Sequence, residues 1–399
     1  MTENSTAVAQ ETTVPADDWN PITVTDYPAE YRRLRAEQPL SYTSDYDGFW
    51  CFMKYPDVQK GSRDWRTYTS GQPFVEFPEF MKSIPIQANP PEHTFFRKFL
   101  SQYFTAERVG MLVPDIEEIV AKNLDPLVER GEGDMIDEFG RIVPQQVLAK
   151  FLLLPEDAWV TMADSLAKAD AVRFDLEKHR EVNKTLWNPT VEALIADRRQ
   201  RPQDPAIDVM SGAMLLEPGG RPITHEELVA LGVQIFSAGA DTTTAAIGSI
   251  VGYLAAHPQD QQRLREDLSL VPSAVEELLR LAPPLHQLGR HATKAVEAHG
   301  RTIAAGDKVA LSVYSANRDE DRFPDGDTYD VDRAPTPQHL TFGHGPHQCM
   351  GAPIAREELK ATLTRLLQKT SGFELAGEPV SNGRPLRTGW TNVPIRFIA

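Results

Sequence analysis

Cysteine is almost missing from this chain: Cys51 and Cys349 are the only two in 399 residues. Two thiols so far apart in sequence cannot build a disulfide framework or a multi-cysteine zinc cluster, and such usage fits a reducing, cytoplasmic setting. Lysine and arginine are absent before Arg32, whereas a secretory or organellar leader needs an early positive charge followed by an apolar core. No stretch reaches the roughly 18 uninterrupted apolar residues of a spanning helix. Even Val233 to Ala256 is broken by Gln234, Asp241 and three threonines. Positive charge is scarce as well, 41 basic against 57 acidic side chains for a net −16, which argues against nucleic acid as the main partner. The expectation is a soluble protein with neither a membrane nor a nucleic acid as its partner.

What is present reads as one unit. Residues 1–21 are polar with no hydrophobic period and are expected to be a disordered lead-in, leaving 22–399 as the folded domain. Residues 29–37 have a helical pattern, Phe49–Phe52 is an apolar run suited to a buried strand, and the Pro- and aromatic-rich stretch 72–91 has no period and predicts a long irregular loop. From 91 to 372 most segments are amphipathic helices separated by Pro or Gly, with short strands expected within 296–311 and 386–398. The fold class is therefore mainly α, a single large domain with small β-sheets.

Three constellations carry chemistry. The densest is Phe342-Gly343-His344-Gly345-Pro346-His347-Gln348-Cys349-Met350-Gly351, followed by a helical pattern with Leu359, Leu363, Leu366 and Leu367 on one face. A helix N-terminus stabilises an anion, so Cys349 is placed to exist as the metal-binding thiolate. Gly345 and Gly351 are expected to let the backbone turn sharply and approach a flat ligand. A Gly-rich loop holding a buried cysteine, or a zinc site from His344, His347 and Cys349 without a clear fourth ligand, are the alternatives. The second is Ala238-Gly239-Ala240-Asp241-Thr242-Thr243-Thr244, inside a long helix that Thr224 and Glu227 open at capping-box spacing. Gly, Asp and Thr oppose a helix interior, which predicts a widened turn and an acid beside a hydroxyl able to relay protons. In the third, Ser273 and Glu276 have capping-box spacing, and Glu277 and Arg280 place opposite charges at i, i+3, a weak signal alone.

In this order and at these separations, the three elements resemble the cytochrome P450 family from about residue 22 to the end, with the soluble bacterial, camphor-hydroxylase-like branch as a neighbour. Phe342, Gly345, Cys349 and Gly351 fit the haem-binding pattern F-x-x-G-x-x-x-C-x-G. Gly239, Asp241 and Thr242 fit A/G-G-x-D/E-T, and Glu277 with Arg280 fits E-x-x-R. Arg333 looks like the third member of the family's Glu-Arg-Arg cluster, which would be scaffold for the haem loop. The resemblance implies haem b (iron protoporphyrin IX) with Cys349 as iron ligand, and propionate partners at His93, Arg97, Arg290 and His347.

It also implies a monooxygenase that activates O₂, Thr242 hydrogen-bonding the bound dioxygen and Asp241 feeding protons toward it. The chain contains no Gly-rich dinucleotide fingerprint, so electrons are expected from a 2Fe–2S or similar ferredoxin with its NAD(P)H-dependent reductase. A basic patch including Arg97, Lys98 and Arg356 is the expected docking surface. The substrate expected is a small hydrophobic terpenoid or aromatic. It is expected against Phe80, Met81 and Ile84 of the irregular stretch, Val233 and Phe236 of the long helix, and Gln287, Leu288 and Trp390. His286 and Gln287 are candidate polar anchors. A peroxide-driven oxygenase and a non-catalytic haem-thiolate ligand sensor are the competing readings, and both have less use for Asp241 and Thr242.

Overall fold

Apolar residues at helical spacing set the main core. Helix Ala106–Arg130 buries Val109, Leu112, Ile116, Val120, Leu124 and Leu127, one stripe of a 3.6-residue period, and packs against helix Ala352–Lys369. The latter contributes the four leucines expected of it, Leu359, Leu363, Leu366 and Leu367, all buried. The 32-residue helix His225–Ala256 packs on helix Ala352–Lys369, and its Ile247, Ile250, Val251 and Leu254 join the same cluster. Its start is fixed as expected: Glu227 N–H donates to Thr224 Oγ1 at 3.2 Å and Thr224 N–H to Glu227 Oε2 at 2.8 Å. Arg221 adds a two-pronged ion pair, and together these hold the Glu227 carboxyl down at about 2.

In the computed structural model, residues 15–76, 83–155, 157–172, 176–333 and 339–399 are described. A five-stranded sheet has the order Leu40–Thr43, Phe49–Phe52, Lys308–Ser312, Gln287–Ala292, Tyr68–Thr69. All its pairings are antiparallel except that of Phe49–Phe52 with Lys308–Ser312. Phe49–Phe52 is buried along its whole length. Cys51 within it is a core thiol that burial pushes up. A three-stranded sheet places Pro394–Ile398 between Glu132–Asp134 and Gly372–Leu375. None of the described helices is long and apolar enough to cross a membrane.

Part of the lead-in belongs to the fold. Trp19 is buried against Tyr31 and Phe49, and the Asp18 carboxylate accepts from Tyr42 N–H at 2.8 Å and pairs with Arg301. The boundary expected at 22 therefore moves to at least 15, because one large aromatic ring repays the ordering of a short polar strap.

Candidate functional site

Cys349 closes a loop whose backbone is bonded to itself: Cys349 N–H donates to Phe342 O at 2.7 Å, Gln348 N–H to Gly345 O at 3.1 Å and Gly343 N–H to Leu340 O at 2.7 Å. Gly343 and Gly345 sit at φ 68° and 69°, where a side chain is strained. A β-carbon at Gly345 would also lie 2.7 Å from Ser62 O, so its close approach is to protein backbone rather than to a flat ligand. Gly351 is at φ −75° as the N-cap of helix Ala352–Lys369 and makes no sharp turn, contrary to expectation. Cys349 is exposed, yet the protein packed around it desolvates its thiol. Burial pushes the thiol up, opposed by the amides of Gly351 and Ala352 and by Arg97 and Arg356. The helix terminus softens the cost of desolvating the thiolate without overturning it. His344, His347 and Cys349 form no metal cage with other such residues among the described ones.

One side of this loop is tied into a buried polar scaffold. Glu277 receives two bonds from Arg280, at 2.8 and 2.7 Å, and one from Arg333 at 2.9 Å. Arg280 also donates to Asn317 O at 2.8 Å, and Arg333 to Pro324 O at 2.6 Å. Asn317, which nothing in the sequence singled out, is fully buried. It receives Leu340 N–H at 2.6 Å, donates to Thr341 Oγ1 at 2.9 Å and to Arg280 O at 3.2 Å, and so fastens the arginine scaffold to the start of the cysteine loop. The expected capping box at Ser273 and Glu276 is not formed. Its helix, Val271–Leu281, starts three residues earlier, with Leu270 as N-cap and Pro272 in its first turn. Glu276 instead pairs with Arg356, at 2.6 and 2.9 Å, and with His339 at 3.2 Å. Arg356, expected in a basic docking patch, is thus neutralised and lies over Phe342.

The other side gathers positive groups. His93 lies in the first turn of helix Glu92–Ser101, buried with Phe96 and Leu100, and its ring centroid is 4.1 Å from that of His347. Neither His93 Nε2 nor His347 Nε2 has a hydrogen-bond partner. Burial, with Arg97 and Arg290 nearby, pulls His93 to about 4; burial, with Arg290, His93 and Arg97, pulls His347 to about 2. Arg290 is buried in strand Gln287–Ala292, with a bond to its neighbour Gly289 O at 2.6 Å, and burial lowers it to about 10. Arg97 donates to Gln348 O at 2.7 Å. The structure brings these four residues together.

Through Ala238 to Thr244 the long helix stays regular; the widened turn is absent. Thr242 and Thr244 bond back to the helix backbone. Thr242 Oγ1 donates to Ala238 O at 3.1 Å, and the Thr244 hydroxyl is shared between Ala240 O at 2.9 Å and Gly140 O at 2.6 Å. Ala238 is exposed in mid-helix, one turn before the partly exposed Thr242 and on its face; sequence reading passed over it because alanine carries no chemical signal. Gly239 faces elsewhere, since a β-carbon there would touch Leu148 at 3.6 Å. Asp241 Oδ2 is 3.4 Å from Arg384 and 4.0 Å from Arg387.

Of the expected substrate contacts, Phe80 and Met81 lie outside the described residues. Ile84, Val233 and Phe236 are closed within one apolar cluster, with Phe236 wholly inaccessible, so they are packed core rather than a ligand surface. In strand Gln287–Ala292 side chains alternate. Leu288 shares a face with Arg290 and lies beside Gly343, whereas Gln287 turns the other way toward Cys51. His286 is buried among Tyr27 and Tyr314 and bonded to Thr388, so it too is not positioned as an anchor. Trp390 donates to Ser249 Oγ at 2.9 Å and covers Gly248, a contact that braces the long helix.

Residues 168–385 match the family model "Cytochrome P450". The chain is 32% identical over 385 residues to the mycinamicin IV hydroxylase/epoxidase of Micromonospora griseorubida, covering 92% of this chain and 93% of that one. It is also 32% identical over 382 residues to the vitamin D(3) 25-hydroxylase of Pseudonocardia autotrophica, covering 92% of each. Among solved structures, a Mycobacterium marinum cytochrome P450 in complex with pseudoionone superposes with a TM-score of 0.87 at 26% identity, over 97% of this chain and all of that one. With a cysteine loop braced by a Glu-Arg-Arg scaffold and likeness spanning more than nine-tenths of the chain, this protein belongs to the cytochrome P450 family of haem-thiolate monooxygenases.

Proposed function

We propose that the chain holds haem b with Cys349 as the iron ligand and oxygenates a small hydrophobic substrate, a terpenoid or aromatic, with O₂ and electrons delivered by a ferredoxin. The observation that carries the cofactor reading is the cluster of His93, Arg97, Arg290 and His347. Two buried imidazole nitrogens there have no partner, and no carboxylate forms a hydrogen bond or ion pair with any of the four among the described residues. Such a cluster is complete only with an anionic ligand, and the two propionates of haem b supply charge-assisted acceptors of the right kind. Bound there, the haem supplies the oxidising chemistry, with the thiolate favouring O–O cleavage.

The residues around it have separable tasks. Arg290 and His347 orient the carboxylates from the strand and the loop, and Arg97 braces the loop itself through Gln348 O. Thr242 has committed its hydroxyl hydrogen to Ala238 O, so its oxygen is presented as an acceptor to groups on the exposed face. Asp241 is the adjacent proton carrier. Leu288, on the Arg290 face of its strand, and Ala238 with Thr242 on one face of the long helix are the substrate contacts this reading favours. The hydrophobic class is supported by those side chains and by the pseudoionone held by the structural neighbour. Lys98 and Arg97 remain the ferredoxin-side cations once Arg356 is discounted.

The reading is tested on the reduced protein under carbon monoxide. A thiolate-type absorption band in wild type, lost in Cys349→His, is expected; a globin-like band in wild type would overturn it. Product formation that needs both NADH and a surrogate ferredoxin separates the monooxygenase from a peroxide-driven oxygenase and from a sensor.

A further inference from the structure

Among the described residues, one serine or threonine hydroxyl is buried without a hydrogen-bond partner, that of Ser70. Ser70 is 1% exposed. Its surroundings show how such groups are otherwise settled. Thr69 Oγ1 receives the Asn89 amide, and Ser62, buried in helix Tyr55–Arg63, donates to Val58 O at 2.7 Å. A helical serine can bond back to the carbonyl one turn earlier, an outlet that Ser70, just past the end of a strand, does not have. Leaving a buried hydroxyl unbonded is costly, so the position asks for an acceptor from outside the chain.

Register says where that hydroxyl is. Strand Tyr68–Thr69 runs antiparallel to Gln287–Ala292, with Tyr68 opposite Ala292 and Thr69 opposite His291. Continuing this register by one residue sets Ser70 opposite Arg290. The two chains stay in contact beyond that pair, since Gly289 N–H donates to Pro73 O at 2.8 Å and a β-carbon on Gly289 would sit 2.6 Å from Gln72 O. Residues directly opposite in an antiparallel pair share a face. Ser70 therefore lies on the face of Leu288 and Arg290, the one that meets the cysteine loop at Gly343. Asn89 ties this point to a third contributor. Its side-chain oxygen accepts Ser70 N–H at 3.3 Å, and its backbone oxygen accepts His93 N–H at 3.0 Å. Arg290, His93 and Ser70 are thus fixed around one spot from three separate stretches of chain.

We propose that Ser70 is a further binding residue for the anionic ligand of the cluster of His93, Arg97, Arg290 and His347, its hydroxyl donating to a carboxylate beside Arg290. This rests on the propionates assigned to that cluster above. The two neighbours divide the task. Arg290 supplies the charge, whereas Ser70 offers a single hydrogen from a short side chain fixed beside a sheet, and so favours one orientation of the carboxylate.

The test compares Ser70→Ala and Arg290→Leu with wild type in three measurements: transfer of haem to excess apomyoglobin, the propionate bending band in the resonance Raman spectrum, and the thermal midpoint of the haem-free protein. Ser70→Ala is expected to release haem about fivefold faster and to shift the propionate band. Its haem-free midpoint should be unchanged or higher, because the hydroxyl has no partner to lose. The inference is overturned if release from Ser70→Ala keeps its wild-type rate. It is equally overturned if release quickens with the band unmoved, since the hydroxyl would then hold only water or pack against its neighbours. Arg290→Leu separates the two levels: unaltered release in that variant overturns the propionate reading itself, whereas fast release there beside an unaffected Ser70→Ala removes only Ser70 from the site.

Discussion

Two buried groups of cations flank the cysteine loop, and the protein treats them in opposite ways. Around Glu277 the guanidiniums of Arg280 and Arg333 meet a carboxylate and several carbonyls. Around His93 and His347 the two imidazole Nε2 atoms meet no acceptor or donor, and burial alone drags Arg290 down to about 10. Burying an unpartnered polar group costs about 1–3 kcal/mol. The first cluster is satisfied within the fold, whereas the second keeps two imidazole nitrogens without a partner, which supports the anionic ligand proposed for it. Polar satisfaction, more than conspicuousness in sequence, separates scaffold from binding site.

The largest expected effect breaks the satisfied side. Glu277→Gln leaves the buried Arg280 guanidinium and the partly buried Arg333 without their anion, which costs about 3–5 kcal/mol. The expected outcome is a large drop in thermal midpoint for both haem-free and haem-loaded protein. A change below about 1 kcal/mol would mean that the cluster is not scaffold.

Arg290→Leu should sharpen the contrast by acting with opposite signs. Removing a buried cation that lacks an anion is expected to leave the haem-free midpoint unchanged or higher, while haem leaves about tenfold faster, the equivalent of one charge-assisted bond. Transfer of haem to an excess of apomyoglobin measures the second, scanning calorimetry the first. Should both fall together, as for Glu277→Gln, the two clusters would be the same kind of object.

The smallest effect concerns Glu276, where burial pushes the carboxyl up but Arg356 and His339 outweigh it and hold it at about 2. A carboxyl depressed in the folded state contributes stability that is present above its unfolded value near 4.5 and lost as pH falls toward about 2. The midpoint difference between wild type and Glu276→Gln should thus be full at neutral pH and shrink across that window. A difference independent of pH would remove the ion pair from the account.

What was legible in the sequence was local. The capping box at Thr224, the i, i+3 pair of Glu277 and Arg280, and the leucine stripe after Cys349 depend on neighbours a turn or two away, and all three are found. The misreadings needed partners from elsewhere. Gln287, expected beside Leu288 as a substrate contact, turns away because a strand's facing is set by its register with Lys308–Ser312. Glu276 is claimed by an arginine 80 residues on instead of by its own helix. Val233 and Phe236 are apolar in the right element, yet apolar residues at helical spacing are as often core, and here the surrounding helices cover them. Asn317, Arg384 and Arg387 had no pattern to betray them, since a charge or amide in a turn reads as solvated until the chain that covers it is known.

The seating of Trp19 bears on how the enzyme is produced. A gene trimmed to the start of the recognisable family pattern would delete the indole that fills the space between Tyr31 and Phe49 and the carboxylate that steadies Arg301. The shortened polypeptide would then expose an aromatic hollow at the edge of its largest sheet. Affinity tags and fusion junctions are safest kept upstream of that strap.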